Sequence, residues 1–327
     1  MLVVGPNGAG KTNLLESLHV GTQGFSPRTR ADAQLVRFDA DAARVDIRGA
    51  RGDVPVETDV LLRRNGGGEI KLNGARVERV ERLRGGLATL VFTPDRLAVV
   101  KGGPAVRRAY VDRALGRLLP AQAGLPAAYG EALGQRNASL RRISLGLSSR
   151  DALAPWTERV TELGVELVAS RRRVLELLRP GFAERAGELG LEGVSLDYRC
   201  EPLSTAALEA RLDRDLDRGS TGLGPHLDEV AIVAGDRDLR SFGSQGEQRL
   251  AVLSLLLAEA DLIAESRPAP LLLLDDVLSE LDPARREILA TRVGCRGQTV
   301  ITTTSRQALP AEPAQVVEVS PGQAVAA

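Results

Sequence analysis

The segment GPNGAGKT, from Gly5 to Thr12, constrains the fold of this chain more than any other feature of its sequence. It matches the pattern G-x-x-x-x-G-K-[ST] in full. It follows a short apolar run, LVV, and precedes an amphipathic segment whose inner stripe is Leu14, Leu15 and Leu18. In such a turn the glycines let backbone N–H groups point inward around phosphate groups. We therefore predict a phosphate-binding loop between a buried strand and a helix, as in an α/β fold.

The loop also supplies side chains with defined chemistry. The Lys11 ammonium places a positive charge on the β- and γ-phosphates of a nucleotide, and the Thr12 hydroxyl is a ligand for Mg²⁺. A plain glycine-rich turn is the alternative, and the complete match to the motif makes it the weaker one. We expect ATP to be held by the loop and the first helical residues, namely Gly5, Pro6, Asn7, Gly8, Ala9, Gly10, Lys11, Thr12 and Asn13.

A second motif, LLLLDD, ends in Asp275 and Asp276. Four consecutive leucines suit a central parallel strand that is buried on both faces, and the carboxyl end of such a strand lies near the phosphate loop in doubly wound sheets. Because two carboxylates at a buried strand end need a cation, we assign Asp275 to Mg²⁺ together with Thr12. We assign Asp276 to polarising the attacking water, so the catalytic candidates are Lys11, Asp275 and Asp276. A pair of helix-capping carboxylates is the alternative.

A third segment, SFGSQGEQRLAVL, predicts a helix that starts after a serine between two glycines. Free N–H groups and the helix dipole at such a start favour an anion, so Ser244 and Gly246 are candidates for contact with a phosphate. Since the chain already carries one phosphate loop, a second phosphate-binding element implies two chains facing each other across one nucleotide. The alternative is a simple N-cap with glycines for close packing.

Composition limits the possible partners. The 327 residues carry a formal net charge of zero, so any nucleic-acid surface must be local. Aromatic residues make up only 3%, which argues against base stacking as the main contact with single strands. The two cysteines, Cys200 and Cys295, have neither disulfide-framework nor zinc-site spacing. No apolar run is long enough to span a bilayer, and we expect a cytoplasmic protein without a membrane partner.

The pattern along the chain predicts an α/β fold with three sections. Residues 1–100 carry the phosphate loop and an antiparallel β section beside its strand, with Asn-Gly turns at 65 and 73. Residues 101–193 form a helical insertion, and residues 194–327 return to α/β character with the second and third motifs. The expected architecture is a mixed sheet flanked by helices, with an inserted helical lobe.

Taken together, the motifs resemble those of ABC-type ATPases. The phosphate loop, SQGEQ, LLLLDD and the D-loop-like SELD occur in the order of that class, and Thr93-Pro94-Asp95 best matches its Q-loop. Within the class, the phrases FTPDRLAVVKGGPAVRRAYVDRAL, QRNASLR, GPHLDE, SQGEQR and LLLLDDVLSELD resemble the RecF family of bacterial recombination mediators over nearly the whole chain. The resemblance implies an ATPase head related to SMC proteins, with a helical second lobe.

The same resemblance implies a function. It points to an ATP-dependent DNA-binding protein of recombinational gap repair, replication restart and the SOS response. Such proteins dimerise on ATP, hydrolyse it slowly as a timer, and work with RecO and RecR to place RecA on gapped DNA. By this resemblance, Ser244 and Gly246 of one chain contact the γ-phosphate held by Lys11 of the other. A weak ATPase is the expected enzymatic activity, and the ATPase subunit of an ABC transporter is the alternative.

Several details concern the partners. Arginine clusters at 63–64, 141–142 and 171–173 are candidate contacts to duplex, gapped or junction DNA, with single-stranded DNA as a further candidate and solvated helix faces as the alternative. The sequence departs from the family pattern at Leu227, where GPHLDE often has Arg, and at Glu247, where the signature usually has Gln. His19 and His226 are expected to be structural.

Overall fold

The computed structural model describes residues 1–29, 31–51, 53–78, 83, 87–294 and 297–327. They form two compact units, Met1–Arg96 with Ala260–Ala327, and Leu97–Glu259. The second unit begins near the predicted start of the helical insertion, and it also takes in residues 194–259. The predicted sections 1–100, 101–193 and 194–327 are domains, whereas these units are defined by packing. The predicted division into domains therefore stays a prediction. Cys295 lies outside the described residues, and Cys200 is a free thiol.

The phosphate loop belongs to a six-stranded sheet in the first unit. Its strands are β1 (Leu2–Val4), β6 (Thr89–Phe92), β10 (Leu271–Leu274), β11 (Thr299–Thr303), β12 (Val316–Ser320) and β13 (Gln323–Ala326). Among the described residues their order is β13–β12–β1–β11–β10–β6, and all neighbours are parallel except β12 and β13. The carboxyl ends of β1 and β10 therefore lie at the same edge, with β11 between them.

Apolar strands explain why this sheet is central. The runs LVV, LLLL and TVITT are almost entirely buried, as expected for parallel strands covered on both faces. Helix α1 (Lys11–Gln23) buries Leu15 against a core that includes Val3 and Leu273. The last helix of this unit runs from Pro283 to Gly294. Asp282 caps this helix, because its Oδ1 accepts a hydrogen bond from Arg285 N at 2.9 Å.

A separate antiparallel sheet follows α1. Its strands are β2 (Ala42–Arg51), β3 (Val54–Arg63), β4 (Glu69–Leu72) and β5 (Ala75–Arg76), in this order. Asn73 and Gly74 have φ of 49° and 80°, the type I′ turn that the Asn-Gly pair predicts. The expectation that this section lies beside the phosphate-loop strand is wrong. β1 pairs with β11 and β12, and the antiparallel strands pack on α1 through an apolar cluster around Val20 and Val60.

The second unit is mainly helical. Its helices are α2 (Ala98–Lys101), α3 (Pro104–Leu118), α4 (Leu125–Ser144), α5 (Ala154–Glu188), α6 (Thr205–Glu209), α7 (Leu212–Arg218) and α8 (Leu239–Phe242). Helix α9 (Gln245–Ser266) begins in this unit, and its residues from Ala260 onward belong to the first unit. The helix of the first unit at Pro283–Gly294 is α10. α5 is continuous through Pro180 and buries a stripe that includes Val160, Leu167, Val174 and Leu178. A stripe of this period is typical of one long core-facing helix.

A small antiparallel sheet completes the second unit. It contains β7 (Val194–Arg199), β8 (Glu229–Ala234) and β9 (Arg237–Asp238). The loop before β8 carries the GPHLDE motif and is held by buried polar contacts. Arg171 donates to Pro225 O at 2.6 Å and to both carboxylate oxygens of Asp112, and Arg107 pairs with Glu229 at 2.6 Å.

Across the described residues, no helix combines the length and the apolar character that a membrane crossing requires.

Candidate nucleotide-binding site

The loop between β1 and α1 has the backbone that its glycines predict. Gly8 and Gly10 have φ of 81° and 106°, in the left-handed region that favours glycine. Gly5 is fixed for a different reason, since a Cβ at this position would lie 2.3 Å from Val319 O on β12. The first N–H groups of α1 have no acceptor within the helix and open onto this loop. Backbone geometry alone therefore makes an anion site here.

Lys11 is the first residue of α1 and is 8% exposed. Its Nζ donates to Gly5 O at 2.8 Å and to Pro6 O at 3.0 Å. The ammonium is thus held over the loop by the carbonyls of the loop itself. These neutral acceptors keep the positive charge in place without cancelling it, so the charge stays available to a phosphate.

The structure brings Thr12 and Asp275 together, although 263 positions separate them in the chain. Thr12 Oγ1 donates to Asp275 Oδ2 at 2.9 Å, and Thr302 Oγ1 on β11 donates to Asp275 Oδ1 at 2.7 Å. Asp275 N donates to Phe92 O at 2.9 Å, which fixes the end of β10 against β6. Thr93, in the segment that matches a Q-loop, follows Phe92 directly. The hydroxyl and the carboxylate predicted to bind Mg²⁺ therefore lie at one point on the sheet edge.

Asp276 has a backbone conformation that is rare for a residue with a side chain. Its φ is 50°, and its N–H donates to Thr302 Oγ1 at 2.9 Å. Its Oδ1 is buried and has no hydrogen-bond partner within the described part of the chain. Because a buried carboxylate oxygen without a partner is costly, this atom is suited to accept a proton or a hydrogen bond from a bound group. Backbone strain of this kind is common where function fixes a side chain.

The site fits a nucleotide with its metal better than a metal alone. Among the described residues, no group of three or more His, Cys, Asp or Glu side chains is placed to hold a metal ion. Mg²⁺ commonly binds through one or two carboxylates together with substrate phosphates and water. Thr12 and Asp275 are the side chains that could hold Mg²⁺ in such an arrangement, and the N–H groups of the loop are placed where phosphates could accept from them.

Ser244 and Gly246 belong to the second unit, at the start of α9. Ser244 Oγ accepts a hydrogen bond from Glu247 N at 3.2 Å, and Ser244 N donates to Glu247 Oε2 at 2.7 Å. This reciprocal pair is a capping box. The simple N-cap considered from the sequence is therefore present. It leaves Ser244, Gln245 and Gly246 exposed, so the segment remains open to a partner.

The structure separates the candidate DNA arginines into two groups. Arg171 is buried and committed to Asp112 and Pro225, so it is unsuited to DNA contact. Arg64 braces the preceding loop by donating to Ala40 O at 3.0 Å. Exposed side chains remain at each cluster, namely Arg63, Arg141, Arg142, Arg172 and Arg173.

Both histidines have partners inside the fold. His19 Nδ1 lies 2.9 Å from Phe25 O. His226 Nδ1 lies 2.7 Å from Tyr129 Oη, and its Nε2 lies 3.0 Å from Thr221 O. Burial lowers the pKa of His226 and raises the pKa of Asp228. These contacts indicate that His226 holds the GPHLDE loop.

Two residues that contact the candidate sites, Thr302 and Arg237, were not predicted from the sequence. Thr302 bonds both aspartates at the end of β10, and the only signal for it was a threonine-rich strand, TVITT. Arg237 Nη2 lies 3.1 Å from Glu247 Oε1 and so adds a positive charge to the capping box. The local sequence gives no sign that Arg237 and Glu247 pair, because a turn and helix α8 separate them.

Comparisons with known proteins place these motifs in a family. Residues 1–325 match the family model described as RecF/RecN/SMC N terminal domain. The chain is 36% identical over 330 residues to the DNA replication and repair protein RecF of Heliobacterium modesticaldum (strain ATCC 51547 / Ice1), covering 95% of this chain and 88% of the relative. The resemblance predicted from the motifs is thereby confirmed.

Solved structures agree with this result. A structure of the recombination mediator protein RecF-ATP in the RecFOR pathway is 28% identical, with a TM-score of 0.86, and the match covers 100% of this chain and 91% of that one. An Smc head domain from Pyrococcus furiosus matches at 19% identity with a TM-score of 0.56, covering 100% of this chain and 89% of that one, which bears on the fold alone. The predicted ABC/SMC-type ATPase fold is confirmed.

Proposed function

We propose that this chain, which belongs to the RecF family of the RecF/RecN/SMC N-terminal domain proteins, is an ATP-dependent DNA-binding protein of recombinational gap repair and replication restart. The observation that carries the proposal is the junction of Thr12 with Asp275 beside the Lys11 loop. These residues provide the positive charge and the metal ligands that a nucleoside triphosphate requires. The similar RecF structure is described as RecF-ATP. ATP, with Mg²⁺, is the cofactor that this combination supports.

Each residue of the proposed site has a distinct task. Lys11 turns from the loop carbonyls to the β- and γ-phosphates, while the N–H groups of the loop hold the remaining phosphate oxygens. Thr12 and Asp275 would hold Mg²⁺, which would supply positive charge to offset the negative charge of the phosphates. Asp276 orients water through its partnerless carboxylate oxygen. Positioning and charge stabilisation are the protein's main contributions to phosphoryl transfer.

The proposal includes an ATP-dependent homodimer. In it, Ser244 and Gly246 of one chain contact the γ-phosphate held by Lys11 of its partner. The exposed start of α9 supports this, since Ser244 Oγ accepts within the capping box and keeps its own hydrogen for donation. Slow hydrolysis then limits the lifetime of the dimer, so that a weak ATPase acts as a timer.

DNA is the proposed partner, in duplex, gapped or junction form. Exposed arginines such as Arg142 and Arg173 are the side chains available for backbone contact. The role of gapped DNA, the assistance of RecO- and RecR-like mediators, recombinase loading, a place in the SOS response and a cytoplasmic location extend the proposal. The RecF names of the relatives support this function over that of a transporter ATPase.

The test is DNA binding measured by fluorescence anisotropy on duplex, single-stranded and gapped substrates, each with ATP, ADP or no nucleotide. We expect ATP to increase affinity over ADP, with gapped or duplex DNA preferred. Ser244→Arg should bind ATP normally and lose ATP-induced dimers, because the bulky side chain blocks the helix start. Normal dimerisation of this variant would refute the shared-nucleotide model, and nucleotide-independent DNA binding would refute the ATP dependence.

A further inference from the structure

A carboxylate occupies the start of α9, where the proposed function places a phosphate. Glu247 Oε2 accepts from Ser244 N at 2.7 Å, and Glu247 Oε1 pairs with Arg237 Nη2 at 3.1 Å. The side chain of Glu247 is 27% exposed and that of Arg237 is 55% exposed. The negative charge therefore lies in the first turn of the helix, at its water-facing end, with one arginine beside it.

This carboxylate affects any anion that approaches Ser244. The bond to Ser244 N brings the carboxylate within a few ångströms of the place where a phosphate would accept from Ser244 Oγ. Like charges at this separation repel each other. The positive end of the helix dipole, which attracts anions, already interacts with the Glu247 carboxylate. Arg237 acts in the opposite direction, because it offsets the carboxylate charge and holds the carboxylate on the side of β9.

We propose that the negative charge of Glu247 keeps the ATP-dependent contact between two chains weak and reversible. Arg237 sets the strength of this effect. The inference rests on the proposed contact of Ser244 with the partner's nucleotide. It concerns the charge of Glu247 rather than its hydrogen bonds. A role in helix capping alone is the competing explanation, and the two make different predictions.

The charge of Glu247 is present at neutral pH. The hydrogen bond from Ser244 N, and then the Arg237 side chain, hold the pKa of Glu247 below its usual value. A pKa lowered in this way means that the carboxylate stays ionised throughout the neutral range. Its repulsion is therefore a constant feature of the surface near pH 7, and mutation is the means to remove it.

Glu247→Gln separates charge from capping. A capping box closes with Gln as well as with Glu, so the variant keeps the helix start and loses only the negative charge. We expect ATP-dependent dimers to tighten about twofold to fivefold, the size of effect that one exposed charge at a helix N-terminus produces. Arg237→Gln should weaken the dimer about twofold to fivefold, because the carboxylate is then uncompensated.

The measurement is sedimentation velocity over a range of protein concentrations, with Mg²⁺ and ATPγS, so that turnover does not limit the dimer. Glu209→Gln removes a charge at an exposed site on α6 and should leave the dimer unchanged. The affinity of the single chain for nucleotide should also stay the same in all variants. Far-ultraviolet circular dichroism checks that α9 remains folded.

The double variant Arg237→Gln/Glu247→Gln decides how Arg237 acts. If Arg237 works through Glu247, its removal has no further effect once the carboxylate is gone. A loss of affinity in that background means that Arg237 contacts the phosphate itself, and the proposal is then wrong. An unchanged dimer in Glu247→Gln is the result that capping alone predicts, and it overturns the proposal as well. If the parent chain forms no dimer with ATPγS, the proposed function fails before this inference is reached.

Discussion

The ion pair between Arg136 and Asp215 offers the clearest quantitative prediction. The two side chains are 1% and 2% exposed, and Arg136 Nη1 lies 2.9 Å from Asp215 Oδ2. Arg136 Nη1 also donates to Thr221 Oγ1 at 2.7 Å, and Asp215 Oδ1 accepts from Gly222 N at 3.0 Å. The pair therefore joins the QRNASLR helix to the loop that leads into GPHLDE.

Arg136→Met removes the cation and leaves the Asp215 carboxylate buried without its ion-pair partner. Removing one partner of a buried pair costs about 3–5 kcal/mol of unfolding free energy. For a unit of this size, that loss lowers the melting temperature by roughly 6–20 °C. The large effect follows from the burial of both groups, since an exposed pair of the same chemistry contributes about 0–1 kcal/mol.

Urea unfolding of the whole chain provides the assay. The single tryptophan, Trp156, precedes Thr157, whose Oγ1 accepts from Arg136 Nε at 3.2 Å, so fluorescence reports on this region directly. Arg159→Ala is the matched control, because the Arg159–Glu162 pair is exposed and lies on the same helix as Trp156. The double variant Arg136→Met/Asp215→Leu should recover most of the lost stability. Similar costs for Arg136→Met and Arg159→Ala would refute the reasoning.

Three further predictions concern the site and its support. Lys11→Ala should reduce ATP affinity at least about a hundredfold, measured by calorimetry, and normal affinity would remove the assignment of the loop. Asp276→Asn should keep ATP binding and slow hydrolysis about a hundredfold or more, measured by phosphate release with DNA present; an unchanged rate would exclude its proposed role with water. Burial lowers the pKa of His226 from 6.5, so the unfolded chain binds more protons below that value, and stability should fall as the pH drops from about 6.5 towards 5. His226→Asn should reduce this slope in pH-dependent urea titrations, and an identical slope would contradict the burial argument.

Local sequence signals were strong where only a few residue types suit the backbone conformation that the fold requires. The glycines of the phosphate loop and the Asn73-Gly74 pair both led to the observed geometry. The end of β10 was predictable because four leucines followed by two aspartates suit only a buried parallel strand. For the glycines and the turn, the determining interactions lie within a few residues of one another.

Long-range pairing explains what the sequence left open. The position of the antiparallel sheet depends on α1 rather than on β1, and β12 and β13 were not predicted at all. Arg171 has the surface-like surroundings of a charge cluster in the sequence, yet the fold buries it between Asp112 and Pro225. The role of Thr302 follows only from the position of β11, where its hydroxyl bonds Asp275 Oδ1 and Asp276 N. Such contacts arise from strand order and helix packing, which local patterns do not encode.

Three of the side chains proposed to bind one nucleotide have internal partners in the structure. Lys11 Nζ bonds the loop carbonyls, Thr12 bonds Asp275, and Ser244 bonds Glu247. Binding therefore exchanges these hydrogen bonds for others, and the net gain is small for the neutral hydroxyls of Thr12 and Ser244, about 0.5–1.5 kcal/mol each. Asp276 is different, because its buried Oδ1 gains a first partner. A contact built mainly from exchanges is easily reversed, and this reversibility is the property that a slow, ATP-timed association on DNA requires.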